Sequence, residues 1–224
     1  MLYLYSHRGN NNHSYRENSV EAILDSLQKD YMDGVEIDVR FTKDKKIVLC
    51  HNPSVLIQNS YYFVSNLSYY ELSKNTDVVE LTYLLSKIKS SKKIIIDVKY
   101  EEKLEKEDID IFYKTIKKYN HLNIYICSFH YTFIRHFKKK YSNYFCGLLV
   151  SRFINYFHFN NCLDFCSIKK NLYNKLPKNK FQFIWTVNSK EELELLEKKV
   201  KNKNLHIITD CAYLLKEKII EKKL

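Results

Sequence analysis

Short apolar runs alternate with amphipathic helical segments through the 224 residues, and eight of those runs count as members of one parallel sheet. The polar and aromatic residues that look out of place inside the runs gather at their C-terminal ends. These observations predict an α/β fold, a compact TIM (β/α)8 barrel near the lower end of the usual size range. Residues 1–224 read as a single barrel domain, because no linker, low-complexity segment or second domain interrupts the alternation.

Taken in order, residues 2–6 form the first strand and end in His7-Arg8-Gly9. Residues 10–15 are a polar loop, and residues 17–29 carry Val20, Ile23, Leu24 and Leu27 at helical spacing. Residues 34–52 read as a hairpin. Residues 52–76, rich in Asn, Ser and Tyr, read as irregular, and residues 78–88 as a helix with Val79, Leu81, Leu84, Leu85 and Ile88 on one side. The run at 93–99 is a buried strand followed by a long helix over 101–119. Strands at 123–129 and 144–150 are each followed by a helix, at 131–141 and, weakly, at 153–159. Strands at 163–168, 181–187 and 206–209 complete the sheet, with helices at 189–201 and 211–222 after the last two.

The hairpin carries the chemistry. Val35, Ile37, Val39 and Phe41 alternate with Glu36, Asp38, Arg40 and Thr42, so the strand has two unlike faces and both carboxylates lie on one of them. With Asp44 and Lys45 as a two-residue turn, His51 falls opposite Asp38. Adjacent ionised carboxylates repel, and a hard divalent cation relieves that repulsion. A solvated outer face is the alternative for this stretch alone.

Composition narrows the class. No run approaches the length of a membrane span, and the N-terminus lacks the pattern of a signal peptide, so a soluble intracellular protein is expected. Six cysteines without a CxxC pair, mostly inside apolar runs, read as buried thiols. The net charge of +11 is spread over many lysines in a sequence heavy in Lys, Asn, Ile and Tyr, which favours an anionic substrate without implying specific nucleic-acid binding. In a chain with three glycines, Gly9 and Gly34 both flank the candidate site, where the backbone needs them.

On these residues the chain resembles the glycerophosphodiester phosphodiesterase family. His7-Arg8-Gly9, Glu17-Asn18, Gly34-Val-Glu-Ile-Asp-Val39, Thr42-Lys43-Asp44 and His51 follow the family's opening order. Asp97-Val-Lys99, Ser128-Phe129, Gly147-Leu148-Leu149, Trp185-Thr-Val-Asn188 and Ile208-Thr209-Asp210 resemble its later motifs. The resemblance implies a TIM barrel that uses one divalent cation, Mg²⁺ or Ca²⁺, to hydrolyse glycerophosphodiesters to an alcohol and glycerol 3-phosphate. It implies Glu36, Asp38 and Asp97 as metal ligands and His7 and His51 as the acid/base pair. Arg8 and Lys99 are expected to clamp phosphate oxygens, Glu17 to orient Arg8 or bind glycerol hydroxyls, and Phe129 and Trp185 to line the pocket; Ser128 and Asp210 are expected to be supporting. The expected partner is a small-molecule phosphodiester or lysolipid, with transient membrane-surface contact and an oligomeric state the sequence does not give.

The chain departs from the family pattern at Asp97, where Glu is usual, at Asn52, where Asp usually follows the histidine, and at Arg16, where Pro is common. Asp97 also resembles the sphingomyelinase D type phospholipases. That alternative, acting on lysolipids, calls for exposed apolar residues at the rim, for which 61–63 and 153–159 are candidates. A barrel that binds phosphate esters without turnover is the non-enzymatic alternative.

Overall fold

The computed structural model describes residues 1–10, 14–100, 105–152, 163–175, 181–199 and 204–223. Eight parallel strands close on themselves: β1 (Leu2–His7), β2 (Gly34–Phe41), β6 (Lys93–Val98), β7 (Asn123–Ser128), β8 (Phe145–Val150), β9 (Phe165–Lys169), β10 (Phe181–Trp185) and β11 (Leu205–Thr209). Closure comes from β1, which pairs with β11 on one side and β2 on the other. The expected TIM barrel is therefore the observed fold.

Each barrel strand is buried on both faces, and the side-chain period of two sorts its residues. Val35, Ile37 and Val39 of β2 and Ile94, Ile96 and Val98 of β6 point outward into the core shared with the helices. Tyr5, Ile95, Cys127, Leu149, Phe165, Phe183 and Ile208 point inward and fill the barrel. Below the inward polar residues the interior is aromatic. Tyr5 meets Phe183 edge-on at 5.0 Å, Phe165 meets Phe183 at 5.3 Å, and His206 stacks on Tyr3 at 4.4 Å.

The outer helices are α1 (Val20–Gln28), α3 (Leu81–Lys87), α4 (Lys106–Lys117), α5 (Tyr131–Lys140), α6 (Lys190–Lys199) and α7 (Ala212–Lys223). Helix α1 starts where the Ser19 hydroxyl accepts from the Ala22 amide, and it buries Ile23 and Leu27. The sequence expects this helix from residue 17 and α3 from residue 78. Both begin later because the preceding residues are used elsewhere: Asn18 takes a positive φ of 58°, and Val79 and Glu80 pair with β3 (Ile47–Leu49). The weak helix expected over 153–159 and the start of the one expected from 101 lie outside the described residues.

Two expectations are corrected. Residues 52–76 are not irregular: β4 (Ser54–Ile57) and β5 (Ser60–Phe63) form a hairpin, and helix α2 (Tyr69–Asn75) follows with a Ser68/Glu71 capping box. The β2–β3 register also differs from the expected one. Val39 pairs with Leu49, Arg40 with Val48 and Phe41 with Ile47, one residue away from the register a two-residue turn would give. The turn has three residues, 43 to 45, because Lys45 adopts a left-handed φ of 60° and lets Thr42 pair with Lys46. Asp38 therefore faces Cys50, whose amide donates to the Asp38 carbonyl at 3.1 Å, and His51 lies beyond the end of β3.

Candidate active site

The C-terminal rim is assembled by register. His7 is the lateral neighbour of Glu36, and Asp38 that of Asp97, so two carboxylates stand level on adjacent strands with a third one pleat below. Glu36, Asp38 and Asp97 are buried, and one oxygen from each can be chosen with all three within 4.8 Å of one another. His7, Arg8, His51, Lys99, Phe129 and Trp185 line the same cavity, of about 190 Å³. Of the expected site residues only Glu17 lies outside it, in a neighbouring cleft that also reaches His51.

A tight turn carries Arg8 over this cluster. Arg8 and Gly9 both take positive φ, 56° and 72°, and the Asn10 amide closes the turn on the His7 carbonyl. A Cβ at Gly9 would meet backbone atoms of Ala22 and Ile23 at 2.7 Å, so both the conformation and the space require glycine. At Gly34 the space alone does so, since a Cβ would lie 2.2 Å from the Lys93 carbonyl oxygen. Asn18 ties the loop to the strand: its amide donates to the Asp38 carbonyl at 2.9 Å and its side-chain oxygen accepts from the Asp38 amide at 3.1 Å.

Arg8 does not stand free for a ligand. Its Nε lies 2.8 Å from Asp38 Oδ2, and its other arm donates to Glu17 Oε1 at 2.7 Å. Lys99 bridges Asp38, at 2.9 Å, and Asp97, and its ammonium lies 5.3 Å from the centre of the Phe129 ring. Phe129 meets Trp185 edge-on at 6.0 Å, which makes one wall aromatic. The Trp185 indole N–H is buried there and has no hydrogen-bond partner among the described residues.

The carboxyls carry more negative charge than these cations settle. Burial, then the Asp38 charge, raises the Glu36 pKa; burial raises that of Asp97 although Lys99 opposes it. Burial works the same way on Asp38, but Lys99 and Arg8 prevail and its pKa is lowered. Asp97 Oδ1 is buried without a hydrogen-bond partner among the described residues. An all-oxygen donor set with surplus negative charge and an orphaned oxygen fits a hard divalent cation.

The two histidines are held differently. His7 Nδ1 lies 2.6 Å from Asp210 Oδ1, and a carboxylate can only accept, so the proton is assigned to Nδ1 and Nε2 is left toward Glu36, 3.8 Å away. Burial opposes protonation of His7, yet the Asp210 bond and the Glu36 charge outweigh it and the pKa is raised. His51 Nδ1 lies 3.0 Å from Asn52 Oδ1, a neutral acceptor, and burial lowers its pKa although Asp38 opposes this. Arg40 fixes the His51 backbone by donating through Nε and one terminal nitrogen to the His51 carbonyl, at 3.0 and 2.6 Å.

Sequence reasoning left three of these roles unseen: Asn188, which donates to Asp210 Oδ2 at 2.8 Å, Arg40, and the specific pairing of Asp210 with His7. The last was accessible, because in a closed barrel the first and last strands are neighbours.

A carboxylate cluster and two histidines in one cavity, at the C-terminal rim of a closed (β/α)8 barrel, define the class: a TIM barrel with the cleft of an enzyme. The model of the glycerophosphoryl diester phosphodiesterase family matches residues 7–210, and the chain belongs to that family. Solved structures give the same fold at low identity. A glycerophosphodiester phosphodiesterase from Parabacteroides distasonis has a TM-score of 0.82 at 16% identity, covering 100% of this chain and 98% of the other. One from Thermotoga maritima scores 0.75 at 22% identity, covering 97% and 98%. An Oleispira antarctica phosphodiesterase, solved in complex with the product sn-glycerol-3-phosphate, scores 0.79 at 16% identity, covering 98% and 96%. No curated protein sequence matches the chain. No helix among the described residues is long and apolar enough to cross a membrane.

Proposed function

We propose that this protein hydrolyses glycerophosphodiesters to an alcohol and glycerol 3-phosphate, with a divalent cation held by Glu36, Asp38 and Asp97 and proton transfer by His7 and His51. The observation that carries the reading is the convergence of those three carboxylates and both histidines in one cavity, within the family match. The product bound in the Oleispira antarctica structure supports the same substrate class.

A phosphodiester is anionic and its alkoxide leaves poorly, so the reaction needs charge neutralisation and proton transfer at two oxygens. A divalent cation held by Glu36, Asp38 and Asp97 would supply the first as a Lewis acid. His7 and His51 supply the second, one removing a proton from the attacking oxygen and the other giving one to the leaving oxygen. Asp210 fixes the edge of His7 that takes part, and Asn52 does the same for His51 without adding charge. Lys99 and Arg8, already beside the carboxylates, contribute positive charge where the phosphate would lie, and Phe129 and Trp185 exclude water from one side.

The test is release of glycerol 3-phosphate from glycerophosphocholine with Mg²⁺, Ca²⁺ or excess chelator, beside His7→Ala and Glu36→Ala. Cation-dependent turnover lost in both folded variants is expected. Equal turnover in chelator, or in either variant, would sink the assignment.

A further inference from the structure

From Asn52 to Tyr70 the chain contains no charged side chain, although 28% of the whole sequence is charged. This stretch begins at the residue after His51 and contains the β4–β5 hairpin. Gln58 and Asn59, at φ of 47° and 65°, form its two-residue turn, the type that matches strand twist and makes a rigid hairpin.

The hairpin is apolar on its outer face. Ser54 pairs with Phe63 and Leu56 with Tyr61, so these four residues share one face. Leu56, Tyr61 and Phe63 are 53%, 75% and 54% exposed. On the other face Val55 packs against the cluster of Val48, Cys50, Val64, Leu72 and Val78, which anchors the hairpin to the barrel. A two-sided sheet in water normally turns polar residues outward. Here the outward residues beside Ser54 are a leucine and two aromatics. Leu56 and Tyr61 also line the cleft that runs to Asn52 and His51.

We propose that this face docks on an anionic lipid surface. Tyrosine and phenylalanine with neutral polar neighbours suit the boundary between headgroups and acyl chains, and a charge-free stretch removes the desolvation cost that lysine or glutamate would carry there. The net charge of +11 supplies long-range attraction to the anionic surface. Docking would set the cleft to His51 against the interface at which phosphodiesters with apolar tails are held.

The inference is independent of the reaction proposed above. The measurement is co-sedimentation with phosphatidylcholine vesicles, with and without phosphatidylglycerol, for the wild type, Tyr61→Ser alone, and Leu56→Ser/Tyr61→Ser/Phe63→Ser. Thermal midpoints and concentration-dependent light scattering accompany it. Binding to the anionic vesicles is expected, with about tenfold or greater weakening in the triple variant at an unchanged midpoint and a smaller loss in Tyr61→Ser. Three outcomes would overturn it: no sedimentation of the wild type, equal sedimentation of the folded variants, or self-association that the substitutions abolish, which would make the face a contact between copies. Vesicle binding without turnover leaves docking standing and removes the reaction; turnover without binding does the reverse.

Discussion

Asp210 receives His7 Nδ1–H and is itself held by Asn188, so the imidazole meets the cavity with its Nε2 edge. Asp210→Asn keeps a partner but admits the wrong tautomer. It is expected to lower kcat about 10²- to 10⁴-fold with little change in KM. Because Asp210 raises the His7 pKa, the limb of the pH–rate profile that reports His7 should also move to lower pH. Asn52 offers the opposite test. Asn52→Asp places a charge beside His51, which raises its pKa, so the limb reporting His51 should move to higher pH. A pH–rate series on both variants checks the two signs together, and a shift in the wrong direction in either would remove that histidine from the proton chemistry.

At the scale of elements, the loop between β1 and α1 depends on a few backbone constraints. Gly9→Ala forces a Cβ into backbone atoms at positive φ and is expected to cost about 2 kcal/mol or more, read from denaturant midpoints at constant m. Much of this design was legible in the sequence. Gly9 and Gly34 stand out in a chain with three glycines, and the alternation at 35–42 put Glu36 and Asp38 on one face. The hairpin register was not legible, because it rests on Lys45 adopting a left-handed φ that lysine rarely takes and no local residue announces. The β4–β5 hairpin was missed for a related reason. Its turn is Gln58-Asn59, without the glycine that usually marks one, and its outward residues are apolar, which erases the alternation that identifies a surface strand. The pairing of Asp210 with His7 needed only the closure of the sheet.

The whole barrel divides into an aromatic end and a charged end, and each has its own response to conditions. His206 is 5% exposed among Tyr3, Tyr5, Phe181 and Phe183, and burial lowers its pKa to about 3. The unfolded chain binds a proton at this histidine below its ordinary pKa of 6.5, and the folded one does so only near 3. Stability is thus unaffected above 6.5 and falls as pH drops from 6.5 toward 3, by up to about 1.4 kcal/mol per unit. His206→Gln should flatten this part of the curve in urea titrations at pH 7, 6 and 5, and an unchanged slope would contradict it. At the other end, a cation held by the three carboxylates as proposed would stabilise only the folded state. Saturating Mg²⁺ or Ca²⁺ should raise the thermal midpoint by about 5 °C, excess chelator should reverse the gain, and Asp97→Asn should reduce it.

The closure that makes β1 a neighbour of both β2 and β11 also sets an order in time. His7 and Asp210 are 203 positions apart. On a ribosome adding about 5–20 residues per second, His7 emerges roughly 10 to 40 s before its partner is made. Until β11 joins β1, the Nδ1 edge of His7 lacks the Asp210 carboxylate that sets its proton. The proton chemistry proposed for His7 therefore waits on the pairing of β11 with β1, late in assembly.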